Sequence, residues 1–385
     1  MQKKIIALAV AGLASTAAFA QSNVTIYGVA DGSFDVVKAS GGSNSGLNVG
    51  TMTRVSSNSS LIGFKGAEAL GNGLTAVFQY EGSVDFAGGQ AFGGANRDSY
   101  VGLAGGFGTV AMGNLTGPTR ALGASVDVFT GATGIGANSG IIGKLGNAAI
   151  NSNGVNSDLT LGAPCARSAT CASTFDSRWK NAVAYISPNF GGVTLTAAYV
   201  ANENKSNDAA SGTVAQKNTK GYDIGANYKN GPIMAGLTYN WGTVGNTVGT
   251  DVGLIRLAGS YDFGMGTVRA LYDWAKAKDV AMGGDSLKQQ DYGIGLTFKV
   301  GKGNILGQYY AAKNTTGSLG ANDTGAKLFA LGYEHNLSKR TMVKAIYSRL
   351  ASDSKVAYDY GVNAVGTGDF GATLQGVQVG LRHTF

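Results

Sequence analysis

The chain ends GVQVGLRHTF (376–385). Val377, Val379, Leu381 and Phe385 fall on one parity, and Gln378, Gly380, Arg382 and Thr384 on the other. Successive side chains of a strand point to opposite faces, so this is a strand with one apolar and one wet face. Its expected role is to close a sheet on itself, with the apolar parity toward lipid and Phe385 at a membrane interface. Arg382 then faces inward.

Upstream, the same period of two recurs. Alternating segments lie at 24–37, 60–69, 74–86, 97–105, 109–116, 178–187, 193–200, 220–229, 232–241, 252–263, 267–276, 289–300, 304–313, 326–335, 341–350 and 372–385, sixteen in all. Short turns such as Leu70 to Gly73 and Asn230–Gly231 alternate with long polar connections at 38–59, 87–96, 117–177, 202–219, 242–251, 277–288, 314–325 and 351–371. An even strand count, short turns on one side and long loops on the other describe a 16-stranded antiparallel transmembrane β-barrel. A closed sheet that wide cannot fill its interior with wall side chains, so the expected lumen is wet. A soluble sandwich would leave the apolar face in water.

Composition agrees. There are 62 glycines, 4 prolines, 17 tyrosines and 15 phenylalanines, with 14% charged residues. Disordered chains are poor in aromatics, and a closed sheet in lipid needs every backbone N–H, which disfavours proline. The net charge of +7 is spread thinly, with no basic run of the kind that binds nucleic acid. Residues 1–20 read as a cleaved signal peptide: Lys3 and Lys4, the apolar run from Ile5 to Ala14, then Ala18 and Ala20 before the cut. The apolar run is too short to span a bilayer as a helix. Residues 21–385 are then the barrel.

Several stretches carry a resemblance: VTIYGVAD (24–31), LIGFKGAEALGNGLTAVFQYE (61–81), NRDSYVGLAGGFGTVAMGN (96–114), NAVAYISPNFGG (181–192) and VGLRHTF (379–385). Together they resemble the sixteen-stranded general porins of Gram-negative outer membranes, of the β-proteobacterial type. The resemblance implies an outer-membrane homotrimer, each subunit a water-filled channel for passive diffusion of ions and small hydrophilic solutes. It implies that the third long loop, 117–177, folds into the pore. It also implies that the terminal strand, with Val379, Leu381 and Phe385, is the signal read by the outer-membrane assembly machinery. Acidic residues of the third loop are expected to face basic residues of the wall. Arg97 and Arg178 match wall arginines of the family, with Lys180 beside them by parity. Asp127 and Arg120 lie in the loop, and Lys65 and Glu68 nearer the periplasmic mouth. The family's usual arginines are replaced by Leu61 and Asn114, for which Arg54 of the first loop is a candidate substitute. The surviving basic residues imply a weak preference for anions.

Loop 117–177 also carries the two cysteines, in CARSATC (165–171), which read as a disulfide Cys165–Cys171 in an oxidising compartment. Their spacing does not suit a metal, and no metal or cofactor is expected. Sequence alone leaves the long insertion either inside the lumen or over the mouth; inside, it would make a narrowed, solute-specific channel. GFGTVA (106–111) matches a dinucleotide fingerprint, but in a hairpin turn that feeds a strand rather than a helix. The two histidines, His335 and His383, sit near the short turns, with no nucleophile or paired carboxylate at their side, so no enzyme is expected.

Overall fold

The first strand, β1 (Asn23–Ser40), is long enough to contact three others. A computed structural model describes residues 23–89, 94, 96–129, 134–145, 175–201, 220–244, 250–278 and 286–385. One edge of β1 pairs with β17 (Thr373–Thr384) from Val29↔Thr384 to Ser40↔Thr373. The other edge pairs with β2 (Val49–Ser57) along its second half and with β3 (Leu61–Gly71) along its first. Thus β2 and β3 are one wall of the barrel, interrupted at Asn58–Ser60. The interruption is tied back to β1: Asn58 N–H donates to the Asp31 carbonyl at 2.8 Å, and the Ser60 hydroxyl accepts Asp31 N–H at 2.9 Å.

The remaining strands follow as antiparallel neighbours. They are β4 (Leu74–Ser83), β5 (Ser99–Gly105), β6 (Gly108–Thr116), β7 (Arg178–Ile186), β8 (Val193–Val200), β9 (Gly221–Asn230), β10 (Ile233–Val244), β11 (Thr250–Asp262) and β12 (Gly266–Lys278). Then come β13 (Ser286–Val300), β14 (Gly303–Ala312), β15 (Ala326–Asn336), β16 (Thr341–Ser352) and β17. Seventeen segments therefore build sixteen walls, and the β1–β17 pair closes the ring. At the seam Gly28 and Phe385 exchange both backbone hydrogen bonds, each 3.1 Å. Closure leaves no sheet edge to lipid, where an unpaired amide costs several kcal/mol.

Alternation sets the two faces. In β15, Leu328, Ala330 and Glu334 are buried inward while Phe329, Leu331 and Tyr333 are exposed outward. Val379, Leu381 and Phe385 are outward too, 58%, 48% and 48% exposed. Arg382 points inward and donates to Asp31 at 3.1 Å, where Lys344 also donates at 2.5 Å.

Three expectations change. The connection after β1 is short, because 49–57, read as loop from its Gly, Ser and Thr content, is β2. The parity of β7 switches at a bulge: Leu115 pairs with Trp179 but Gly113 with Ala182, and Asn181 takes φ 57°. Trp179, which the parity that turns Arg178 and Lys180 inward would place outside, is consequently inside and 5% exposed. The interior is also partly dry. Leu122, Val126, Phe129, Ile135, Ile141 and Ile142 of the third loop pack on inward Leu271, Leu306, Leu328, Ile346, Leu350 and Leu374. The connection 353–372 joins them, burying Val356, Tyr358, Tyr360 and Val365 in the same cluster.

Candidate pore constriction

The third loop enters the barrel as a short helix, α1 (Pro118–Ser125). Its N-cap, Gly117, has no side chain to satisfy the free amides of the first turn. The wall supplies that cap. Asp223 of β9, 1% exposed, accepts the Thr119 N–H at 3.2–3.3 Å and the Thr119 hydroxyl at 2.6 Å. The Trp179 indole N–H lies 3.3 Å from the same carboxylate. Two glycines give α1 its seat: a Cβ on Gly225 would stand 2.7 Å from Pro118, and one on Gly236 2.5 Å from Leu122.

Arg256 of β11 holds both ends of the loop. Its Nε and Nη2 donate to Asp273 of β12 at 2.8 and 2.6 Å. Its Nη1 and Nη2 donate to Asp176, just before β7, at 2.6 and 3.0 Å. Nη1 also donates to the Thr119 carbonyl at 2.9 Å. The guanidinium is fully buried, and such double bidentate pairing is what makes a buried charge tolerable.

Between these ends the loop leans on inward polar side chains. Gln308 accepts Val128 N–H at 3.1 Å and donates to the Gly136 carbonyl at 2.6 Å. Gln378 accepts Ile135 N–H at 3.2 Å, and Asp291 accepts Gly143 N–H at 3.0 Å. Lys144 is buried, with its ammonium 3.3 Å from the Asp359 carbonyl of connection 353–372. Burial pushes that ammonium down to about 8, against the pull of Asp359 and Asp176.

Arg120 leaves α1 toward the wall of β4, β5 and β7. There Arg97 donates to Glu81 at 3.4 Å and Arg178 to Asp98 at 3.0 Å. Burial first, then the positive field of Arg178, pull the Arg120 guanidinium down to about 10, so it stays charged at neutral pH; Arg97 adds to that field and Asp176 and Asp98 oppose it. Among the described residues no carboxylate forms an ion pair with Arg120; Asp176 is taken by Arg256. Three guanidiniums, Arg97, Arg120 and Arg178, thus lie within electrostatic reach of one another beside the two wall carboxylates.

The comparisons with known proteins bear on this arrangement. The pattern described as "Gram-negative porin" matches residues 7–355. The chain belongs to the Gram-negative porin family. It is 34% identical over 395 residues to outer membrane porin protein 32 of Delftia acidovorans, covering 100% of each chain. The solved anion-selective porin from Comamonas acidovorans is 28% identical, with TM-score 0.73 over 95% of this chain and 100% of the other. OmpT of Vibrio cholerae, solved in a trimer form, shares the fold at 15% identity and TM-score 0.65, over 94% of this chain and 99% of its own. This porin is therefore a multi-pass outer-membrane barrel that forms a channel for passive diffusion.

The structure gathers Arg97, Arg120 and Arg178 of the porin but arranges the other sequence candidates differently. Asp127 is 3% exposed, and its oxygens accept the N–H groups of Phe129 and Asn138, each at 3.0 Å. It shapes the loop's own turn, and the carboxylates beside the arginines are Glu81 and Asp98. Lys180 is exposed, at the bulge, so the parity that placed it with Arg178 no longer applies. Arg54 lies on β2, not in a loop; it donates to Asp35 at 3.1 Å and to the carbonyls of Ala364 and Asn363, and takes no place in the cluster. Lys65 stacks over the Tyr27 ring at 4.9 Å, and Glu68 is exposed near the short turn at Gly71–Gly73. Cys165 and Cys171 lie outside the described residues. Asp223, Arg256, Glu81 and Asp98 had no role in the sequence reading. Their signal is a charge on the inward parity of a strand, visible for Asp223 between Gly221 and Gly225.

Proposed function

We propose that this porin is a general diffusion pore with a weak preference for small anions, set where Arg120 of the loop meets Arg97 and Arg178 of the wall. The observation that carries the reading is the surplus of guanidinium over carboxylate at that point. In a narrow lumen the surplus is screened less than in bulk water, and it favours passage of the opposite sign. The description of the Comamonas neighbour as anion-selective supports it. Planar-bilayer recording in a salt gradient tests it: Arg97→Ala, Arg120→Ala and Arg178→Ala should each move the reversal potential toward cations. Three unshifted potentials would remove the assignment.

The same reading includes a homotrimer, for which the trimer form of the Vibrio protein is the support, expected to show as conductance steps in threes. It includes export by a cleaved segment 1–20, testable by sequencing the mature N-terminus, and recognition of the strand ending at Phe385 by the assembly machinery. A solute-specific channel is the second reading. It is favoured by the inward packing of both connections, 117–177 and 353–372. Small steps blocked by a single small anion would select it over the general pore.

A further inference from the structure

Of the two ion pairs beside Arg120, Arg97–Glu81 is the longer, 3.4 Å against 3.0 Å for Arg178–Asp98. Its neighbours on the inward face show why. Tyr27 of β1, Gly63 of β3 and Glu81 of β4 form one row, Tyr27 paired with Gly63 and Gly63 with Glu81. A Cβ on Gly63 would stand 2.5 Å from Tyr27 Cζ and 2.7 Å from the phenol oxygen. The bare glycine lets the ring lie across β3, and its hydroxyl donates to Glu81 Oε1 at 2.8 Å. The next inward residue of β3, Lys65, holds its ammonium 4.9 Å from the centre of that ring. Gln79 Nε2 donates to the same Oε1 at 3.1 Å. Oε2 is left for Arg97, whose Nε meets it at 3.4 Å. A closed guanidinium–carboxylate fork has two parallel bonds of about 2.7–2.9 Å. Here there is one long bond, and among the described residues neither terminal nitrogen of Arg97 has a hydrogen-bond partner.

We propose that Tyr27 is a positioning residue for ion preference: its hydroxyl holds Glu81 back from Arg97, so that the end of the guanidinium stays presented to the lumen. The role rests on the reading of Arg97 as part of the selective point. A phenol bonded to a carboxylate is a charge-assisted donor, roughly twice as strong as a neutral pair. Without it Oε1 keeps only the Gln79 amide, and the full charge of Arg97 draws the carboxylate into the fork. A closed fork lays the negative charge over the terminal nitrogens that a passing anion meets. The hydroxyl is neutral, so its loss changes no net charge; it changes which end of the ion pair faces the lumen. The sign is then distinctive. Removing the hydroxyl lowers the preference for anions, whereas removing the Glu81 charge raises it.

Reversal potentials of the full chain in planar bilayers under a salt gradient test the assignment. Tyr27→Phe keeps the ring and the net charge, and should lower the anion-to-cation permeability ratio about twofold, less than the about fivefold of a whole unit charge 4 Å away in water. Gly63→Ala displaces the phenol without removing its hydroxyl and should move the ratio in the same direction, so the test survives if Tyr27→Phe does not fold. Glu81→Gln should raise the ratio. In the Glu81→Gln background Tyr27→Phe should change nothing, because residues acting through one another are not additive. A ring that merely fills space would leave the potential of Tyr27→Phe where it was, and that result overturns the proposal. An equal fall with and without Glu81 overturns it as well. An unmoved potential in both Glu81→Gln and Arg97→Ala would instead remove the selective point, and the role of Tyr27 with it, which keeps the two failures distinct.

Discussion

Replacing Asp223 by alanine isolates the contact that docks the helix carrying Arg120, on which the proposed preference rests. The change removes the acceptor of the Thr119 N–H and hydroxyl and of the Trp179 indole. A lost N-cap costs about 1 kcal/mol, and a donor left buried without a partner about as much again. A total of about 2 kcal/mol multiplies the undocked population of the first turn of α1 roughly thirtyfold, since 1.4 kcal/mol is tenfold. The sign of the effect on selectivity discriminates. Loss of a negative charge, taken alone, would make the lumen more attractive to anions. Loss of the cap releases Arg120 and makes it less so. The expected outcome in a salt-gradient bilayer experiment is therefore a reversal potential shifted toward cations, with added current noise as α1 docks and undocks. Asp223→Asn keeps an acceptor oxygen and should hold the potential near that of the parent. In an Arg120→Ala background Asp223→Ala should add little, because residues acting through one another are not additive. A shift toward anions, or an equal shift in both backgrounds, would show that Asp223 acts through its own charge. An unshifted Arg120→Ala single variant would count against the arginine cluster, not against the cap.

Other consequences can be checked separately. Arg256→Met leaves Asp176 and Asp273 buried without their partner and should cost about 3–5 kcal/mol in loop docking, read as protease cleavage within 117–177 of an otherwise heat-stable barrel. A side chain at Gly28 would collide with the Phe385 ring and stand 2.7 Å from the Leu61 carbonyl, so Gly28→Val should lower the thermal transition of the barrel by an overpacking cost of about 1–3 kcal/mol, while Gly50→Ala, with open space around it, should not. Lys144 titrates near 8 when buried, against 10.5 for a free lysine, so its charged form opposes docking. The penalty, on the order of 3 kcal/mol, is full below pH 8 and fades as pH rises to 10.5. Channel noise should fall over that window, and Lys144→Met should remove the dependence.

The barrel was legible because its lipid face is a sharp boundary condition. Phe329, Leu331 and Tyr333, like Val377, Val379 and Leu381, can only point one way in a bilayer, so period two survives in nearly every strand. β2 escaped because VGTMTRVSS offers little apolar mass to that boundary, Val55 apart, and resembles loop in composition. Trp179 escaped because a bulge shifts parity by one, and the left-handed conformation that allows it rests on Asn181, a residue equally at home in a turn. The site was half legible. Arg97, Arg120 and Arg178 share a chemistry that sequence displays, whereas Asp127 accepts backbone N–H groups of its own loop and Arg54 is held by Asp35 and by carbonyls 309 and 310 residues away in the chain. The dry interior had a signal: Leu254, Leu271, Leu306, Leu328, Ile346, Leu350 and Leu374 are all buried on the inward parity, where a wholly wet lumen would have polar residues.

The division of labour between wall and loop follows from rigidity. Arg178 opens β7, paired with Thr116 of β6, and Arg97 lies just before β5 with its N–H donated to the Glu81 carbonyl at 3.1 Å; each is offset by a wall carboxylate, Asp98 and Glu81. Their net field at the lumen is small. Of these three guanidiniums Arg120 is the one with no carboxylate ion pair among the described residues, and it sits on an eight-residue helix too short to be stable alone. In the proposed constriction the deciding charge therefore rides on a loop helix and not on the wall. That arrangement works only if docking is strong, and the wall meets the need with a borrowed cap at Asp223, a double clamp at Arg256 and an apolar bed from Leu271 to Leu374. Weakening any one of these should move selectivity without touching a residue that an ion passes, whereas a constriction built from wall residues alone would respond only to substitutions inside it.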